Sequence, residues 1–353
     1  MIDSLLAETL SVLQTLIAIP SVSRDEAAAA NYIETYLKER GASPQRLYNN
    51  VWAVGTNLPT RPTLLLNAHI DTVKPAAGWT QQPFVPTWEG DRLYGLGSND
   101  CGGGLCTLMQ VFLHYKNDET LPWNLVYLAS AEEEVSGRNG IEAALPHLPQ
   151  VDVALVGEPT GMQPAVAEKG LMVLDCTAHG KSGHAARNEG VNALYKAIDD
   201  ITWIRNHRFE RVSPLLGEVK ATVTMIEAGT QHNVIPDTCR FVVDVRSNEL
   251  YSNEELLQFF RLHLTSEVKE RSTRLNSSRI PVDHPLVKAA VALGRTPFGS
   301  PTLSDQALMP FPSFKMGPGQ SARSHTANEY IERDELAEAL SIYLQLLKMP
   351  NNI

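Results

Sequence analysis

The sequence predicts an α/β protein with a mixed sheet covered by helices on both faces, into which a smaller α+β domain is inserted. Two observations carry this prediction. Short apolar runs alternate with helical stretches toward both ends of the chain, and the middle breaks that alternation with the order strand, helix, strand, strand, helix, strand. The expected domains are residues 1–168 together with 280–353, and 169–279 as the insertion.

At the start, Leu6, Leu10, Leu13 and Ile17 repeat at helical spacing from Ile2 to Ile17, and Pro20 stops the pattern. Ser23 and Glu26 have the spacing of a capping box, Tyr32, Ile33, Tyr36 and Leu37 give the next helix an apolar face, and Gly41 is placed to end it. Strands are expected at Trp52–Val54, Leu64–Asn67, Leu125–Ala129 and Val153–Val156, with helices near Gly103–Tyr115 and Gly137–Leu145. The insertion reads as strand Leu171–Ala178, helix Val191–Asn206, strands Glu218–Glu227 and Thr238–Arg246, helix Glu254–Leu264 and an extended piece before Pro281, a ferredoxin-like order. After His284 come a helix at Pro285–Leu293, a loop rich in Pro and Gly from Thr296 to Gln320, and a closing helix at Arg333–Leu347.

Composition narrows the function. The 353 residues carry 30 Lys+Arg against 40 Asp+Glu, a net charge of −10, which argues against nucleic acid or an anionic membrane as a partner. No segment approaches the roughly 18 uncharged apolar residues of a membrane span, and no basic stretch precedes an apolar run at the N-terminus. Cys101, Cys106, Cys176 and Cys239 form no Cys-x-x-Cys pair and read as buried free thiols, so a cytoplasmic location is expected.

Chemistry concentrates where apolar runs end. Leu64-Leu-Leu-Asn-Ala-His-Ile-Asp71 is a buried strand that closes with His69 and Asp71 on the same face, because side chains alternate with a period of two. Asp100 sits in the glycine-rich stretch Tyr94–Gly104, where Gly lets the backbone approach an ion or ligand. Gly95-x-Gly97 is not a dinucleotide fingerprint, since Asp100 replaces its third glycine and would repel a pyrophosphate, and Gly180-Lys181-Ser182 lacks the first glycine of a phosphate loop. Glu132, Glu133 and Glu134 end one core strand and Glu158 ends another, while Gly317–His325 brings a second histidine. Two histidines and several carboxylates form a hard-ligand set suited to zinc, cobalt or manganese in a two-metal site, and a carboxylate beyond the ligands is what a general base needs.

His69-Ile-Asp71, Asp100 with its glycines, Glu132-Glu133-Glu134, Val156-Gly-Glu-Pro159 and Ser324-His-Thr326 match a known family in order and spacing. It is the dinuclear zinc deacylase and carboxypeptidase family that includes acetylornithine deacetylase, succinyl-diaminopimelate desuccinylase, aminoacylase and glutamate carboxypeptidase. The resemblance runs from the first helix to the last and is strongest to the acetylornithine deacetylase branch. It implies that His69, Asp100 and Glu158 hold one divalent ion and Asp100, Glu134 and His325 a second, with Asp100 bridging, most simply as zinc with cobalt as the substitute. It further implies that Asp71 orients His69, that Glu133 is the general base, and that the peptide after Asp100 is cis. Glu132 stands where relatives have Asp, at a position that is not a ligand.

In the insertion, Gly180-Lys-Ser-Gly-His184 resembles the segment whose histidine reaches the partner subunit's active site and stabilises an oxyanion, so the resemblance implies a homodimer and a lid or dimerisation role. Asn233 and Arg246 match positions that bind the substrate's carboxylate, a task suited to a guanidinium. His179, His207, His232 and His263 have no comparable context. The implied reaction removes the acyl group of an N-acyl amino acid, with N-acetyl-L-ornithine, a step of arginine biosynthesis, as first substrate. N-succinyl-ornithine, N-acetyl-citrulline, a dipeptidase or carboxypeptidase activity, and a non-catalytic binding protein on the same fold are the alternatives.

Overall fold

A computed structural model describes residues 1–187 and 189–350. The chain divides into two compact units, Met1–Val166 with Arg279–Phe298 and Ser304–Ile353, and Ala167–Ser278 with Gly299–Leu303. Gly299–Leu303, which sequence alone assigns to the first domain, thus groups with the second.

The first unit is organised by a mixed sheet whose neighbouring strands include, in order, Gln45–Leu47, Asn50–Val54, Asn124–Ser130, Thr63–His69, Val153–Val156, Ser313–Lys315 and Ala165–Glu168, the last of which passes from the first unit into the second. The four from Asn124–Ser130 to Ser313–Lys315 are mutually parallel, and antiparallel strands flank them. All seven residues of Thr63–His69 are buried, as a strand covered on both faces requires. Burying side chains such as Leu64, Leu65 and Leu66, each 0% exposed, stabilises the fold by about 1.5–3 kcal/mol apiece. The helix Ile2–Ile17 buries Leu6, Leu10, Leu13 and Ile17, and packs with Gly103–Tyr115 and Arg333–Leu346.

Two local expectations fail. The capping box does not form: the second helix spans Ala27–Glu39, its N-cap residue Glu26 makes no side-chain cap, and Ser23 donates elsewhere. The helix expected over Gly137–Leu145 is reduced to Ile141–Ala144, followed by one tight turn, Leu145–His147.

The second unit is a four-stranded antiparallel sheet in the order Lys220–Ala228, Thr238–Arg246, Met172–His179, Glu267–Glu270. Helices Ala193–Asn206 and Asn253–His263 cover one face around Leu174, Phe241, Leu257 and Phe260, and the chain order gives the ferredoxin-like arrangement. Lys220–Ala228 lies at the edge of this sheet, with Met225 64% and Ile226 51% exposed. All four cysteines are buried and unpaired. Among the described residues no helix is long and apolar enough to cross a membrane.

One contact sets how closely the helix Gly103–Tyr115 lies on the sheet. A Cβ on Gly104 would come within 1.7 Å of the Gly157 carbonyl oxygen, so only glycine permits the approach. Gly104→Ala is therefore expected to destabilise the protein by on the order of 3 kcal/mol. Urea unfolding measures this, and an unchanged midpoint would show that the two backbones have room to part.

Candidate metal centre

The parallel strands stop at a common edge, with His69 level with Ser130 and Asn67 level with Val156. In open α/β sheets the carboxyl ends of such strands form the binding crevice. Each loop that leaves this edge carries a polar group: Asp71 after the first strand, Glu132–Glu134 after the second, Glu158 after the third, and the loop to His325 after Ser313–Lys315. Asp100 arrives from the turn before helix Gly103–Tyr115, and its peptide bond to Cys101 is cis.

These side chains converge. Asp100 Oδ1 lies 3.3 Å from His69 Nε2, which is also 3.7 Å from Glu158 Oε1. The other Asp100 oxygen, Oδ2, is 3.5 Å from His325 Nε2, which lies 2.9 Å from Glu134 Oε2. One carboxylate therefore faces two histidine–glutamate pairs, one through each oxygen. Donor atoms of His69, Asp100 and Glu134 all fall within 4.8 Å of one another, as do those of His69, Cys101 and Glu158. The Cys101 thiol is already engaged, since its sulfur accepts the His69 backbone N–H at 3.3 Å.

Orientation of His69 comes mainly from main chain. Its Nδ1 lies 2.9 Å from the Asp71 carbonyl oxygen and 3.5 Å from the carboxylate. A carbonyl can only accept, so Nδ1 carries the proton and Nε2 is turned toward Asp100 and Glu158. The Asp71 carboxylate also holds the acidic loop: Oδ1 accepts the Glu133 N–H at 3.0 Å, and Oδ2 accepts the Glu134 N–H at 3.1 Å and the Ser23 hydroxyl at 2.7 Å. Glu26 plays a parallel part, accepting the Glu132 N–H at 3.3 Å and an Asn49 side-chain N–H at 2.9 Å.

The electrostatics fit cations. Burial, followed by the charge of Asp100, pushes Glu158 up to about 8. Burial also raises Glu133 and Glu134 above the usual carboxylate range, with Glu158 and Asp305 adding to the effect at Glu133 and Asp100 at Glu134. Asp100 and Asp71 are also buried, but neighbouring His69 holds both below their usual range. Burial alone would depress His69, yet the surrounding Cys101, Asp100 and Asp71 groups hold it well above its ordinary value. Oxygen and imidazole donors that repel one another in a partly buried site are the set that divalent cations satisfy.

The second unit holds the remaining candidates. His184 is exposed on the short strand Gly183–His184, where its Nδ1 accepts the Ala186 N–H at 3.1 Å. Asn233 is exposed, and its carbonyl accepts the Ala185 N–H. Arg246 is half-buried and already paired, its Nε and Nη2 donating to Asp244 at 2.8 and 3.1 Å. Sequence reasoning also missed Asp305, which is 4% exposed and accepts the Ser130 hydroxyl at 2.5 Å, and which burial pushes up to about 6. The available signal, in the first unit, was the single acid of the Pro- and Gly-rich stretch from Thr296 to Gln320.

The profile of Peptidase family M20/M25/M40 matches residues 65–349, and the chain belongs to that family. It is accordingly a metal-dependent hydrolase of amide or peptide bonds. It is 30% identical over 293 residues to acetylornithine deacetylase of Pectobacterium carotovorum subsp. carotovorum, covering 76% of this chain and 75% of the relative. To succinyl-diaminopimelate desuccinylase of Sulfurovum sp. it is 26% identical over 298 residues, 79% of each chain. The fold is shared with a tripeptidase from Staphylococcus aureus at a TM-score of 0.76 and 20% identity, over 97% of this chain and 98% of that one.

Ser23 tests whether the acidic loop depends on Asp71. Ser23→Ala removes a hydrogen bond to a buried carboxylate without touching the helix cap, so the metal-free protein is expected to lose about 1.5–3 kcal/mol while its far-UV circular dichroism stays unchanged. Equal urea midpoints for the two proteins would show that this bond contributes nothing.

Proposed function

We propose that the chain is a dinuclear amidohydrolase that removes the acyl group from an N-acyl amino acid, with N-acetyl-L-ornithine as first substrate. The observation that carries this reading is the placement of Asp100, whose two oxygens face His69 with Glu158 and His325 with Glu134. His69, Asp100 and Glu158 would hold one cation and Asp100, Glu134 and His325 the other, as zinc or cobalt. When bound, such cations lower the pKa of water and polarise an acyl carbonyl. The reading of the acyl amino acid as substrate is supported by the 30% identity to an acetylornithine deacetylase.

Glu133 is an acid of the loop that the ligand set leaves free for proton transfer. Its backbone is fixed by Asp71, and burial keeps its carboxyl group above the usual range, so it can take a proton from an attacking water and return it to the leaving amine. In the second unit, His184 would stabilise the oxyanion in the partner subunit's site, and Asn233 and Arg246 would bind the substrate's carboxylate. For Arg246 that requires exchanging Asp244 for the substrate. Four unpaired buried thiols support a cytoplasmic setting.

Amine release from N-acetyl-ornithine, N-succinyl-ornithine, N-acetyl-citrulline and dipeptides, with added zinc or cobalt and a chelator control, tests the reading. Chelator-sensitive turnover of one acyl-ornithine is expected, and Glu133→Gln should lower it by at least about a hundredfold while metal stoichiometry stays the same. Turnover of dipeptides alone would assign the centre to peptide bonds. Metal binding without turnover of any substrate would return the chain to a binding role.

A homodimer is part of this proposal, formed through the second unit, where the edge strand exposes Met225 and Ile226 and the helix Ala193–Asn206 exposes Tyr195 (66%) and Ile198 (45%). Open edges with apolar side chains are templates for pairing. Sedimentation velocity should find a dimer that Met225→Asp combined with Ile226→Asp converts to monomer, and a wild-type monomer would remove the partner from the mechanism.

A further inference from the structure

Glu329 is a carboxylate to which the reading above gives no task. It is 2% exposed, lies four residues after His325, and directly precedes the strand Tyr330–Glu332. Its two oxygens collect three backbone N–H groups from the loop that carries Asp100. Oε2 accepts from Gly97 at 3.1 Å, and Oε1 accepts from Asn99 at 2.9 Å and from Asp100 itself at 2.8 Å. Removing a carboxylate from water costs several kcal/mol unless hydrogen bonds replace its hydration. Three converging amide dipoles offset part of that cost, although burial still holds the group above the usual carboxylate range.

The surrounding connections show what these bonds fix. The Glu329 carbonyl accepts the Gly95 N–H at 3.0 Å, and the pairing then continues as a ladder, with Tyr330 against Tyr94 and Ile331 against Leu93. On the other side of His325, Asn99 joins the same two segments: its Nδ2 donates to the Gln320 carbonyl at 3.1 Å, and its Oδ1 accepts the Gln320 N–H at 2.9 Å. The loop with Asp100 and the loop with His325 are thus pinned to each other on both sides of the histidine. The amide at Asp100 is the last main-chain point before the bridging side chain begins.

We infer that Glu329 is a positioning residue that fixes the Asp100 carboxylate between its two histidines by holding the backbone amides of Gly97, Asn99 and Asp100. The inference rests on the assignment of Asp100 as the shared ligand. The three bonds stand on both Glu329 oxygens, and a carboxamide offers one acceptor oxygen, so Glu329→Gln keeps the shape but turns an NH2 group toward an N–H donor.

The test uses the full-length, metal-stripped protein titrated with zinc by calorimetry and with cobalt by visible absorption. In Glu329→Gln the affinity for at least one cation is expected to fall about tenfold to a hundredfold, the usual effect of removing a partner that orients a ligand. The cobalt spectrum should change, and the metal-free melting temperature should fall, since one buried N–H loses its acceptor, while the protein stays folded. Unchanged affinities and an unchanged spectrum, whatever the melting temperature, would overturn the inference and leave Glu329 a strut of the loop. If the variant does not fold, hydrogen exchange of the metal-free wild type decides: protected amides at Gly97, Asn99 and Asp100 support a preformed clamp, and exchange at unprotected rates rejects it. Asp100→Asn separates the two levels of the argument. If it still binds two cations as the wild type does, the ligand assignment fails and the inference falls with it. If it loses one while Glu329→Gln behaves as wild type, only the inference fails.

Discussion

The centre depends on one constraint: four parallel strands run out toward the same edge, and the chain must leave that edge with its main-chain groups still satisfied. Buried carboxylates meet that demand. Asp71 accepts the N–H groups of Glu133 and Glu134, and Glu26 accepts that of Glu132. The acids that line the centre are therefore held by their own backbones, and the acids that hold them lie one layer further from the surface. Such an arrangement concentrates negative charge where water is scarce, which raises Glu158, Glu133 and Glu134 and gives a divalent cation a large electrostatic reason to bind.

Much of this was legible in the sequence because the polar residues sit where apolar runs stop. Thr63–His69 and Asn124–Ser130 are fully buried strands, and a histidine or an acid at such an end has few structural reasons to be there. The order of elements in the insertion likewise carried its topology, since local periodicity is enough to place strands and helices. Spacing misled where a distant partner outcompeted a local one. Ser23 and Glu26 sit at capping-box distance, but the Asp71 carboxylate takes the serine hydroxyl and the backbone N–H of Arg24 takes the glutamate. Arg246 illustrates the opposite case, in which the sequence itself leaves a structural salt bridge at the strand end as an open reading. Asp244 lies two residues away on the same strand, so period-two alternation already placed the two side chains together. What Asp305 touches could not be read locally, because its tie to Ser130 joins segments 175 residues apart.

Backbone conformation adds a further layer. Glu132, Ser136 and His325 adopt left-handed φ values of 55°, 44° and 60°, a region that side-chain-bearing residues avoid. Positions of this kind cost on the order of 1–3 kcal/mol each and persist only where surrounding contacts over-determine them. Here they mark the acidic loop and the second histidine, which reach the centre from loops rather than from strands.

The contact of Gly104 with the Gly157 carbonyl has a bearing beyond stability. Gly157 immediately precedes Glu158, and Gly104 opens the helix that follows Asp100, so this main-chain contact gauges the separation of the two carboxylates. Two backbones in direct contact have no rotamers to populate. As temperature rises and side chains elsewhere sample new conformers, the main-chain starting points of these two acids stay held by packing rather than by rotamer choice.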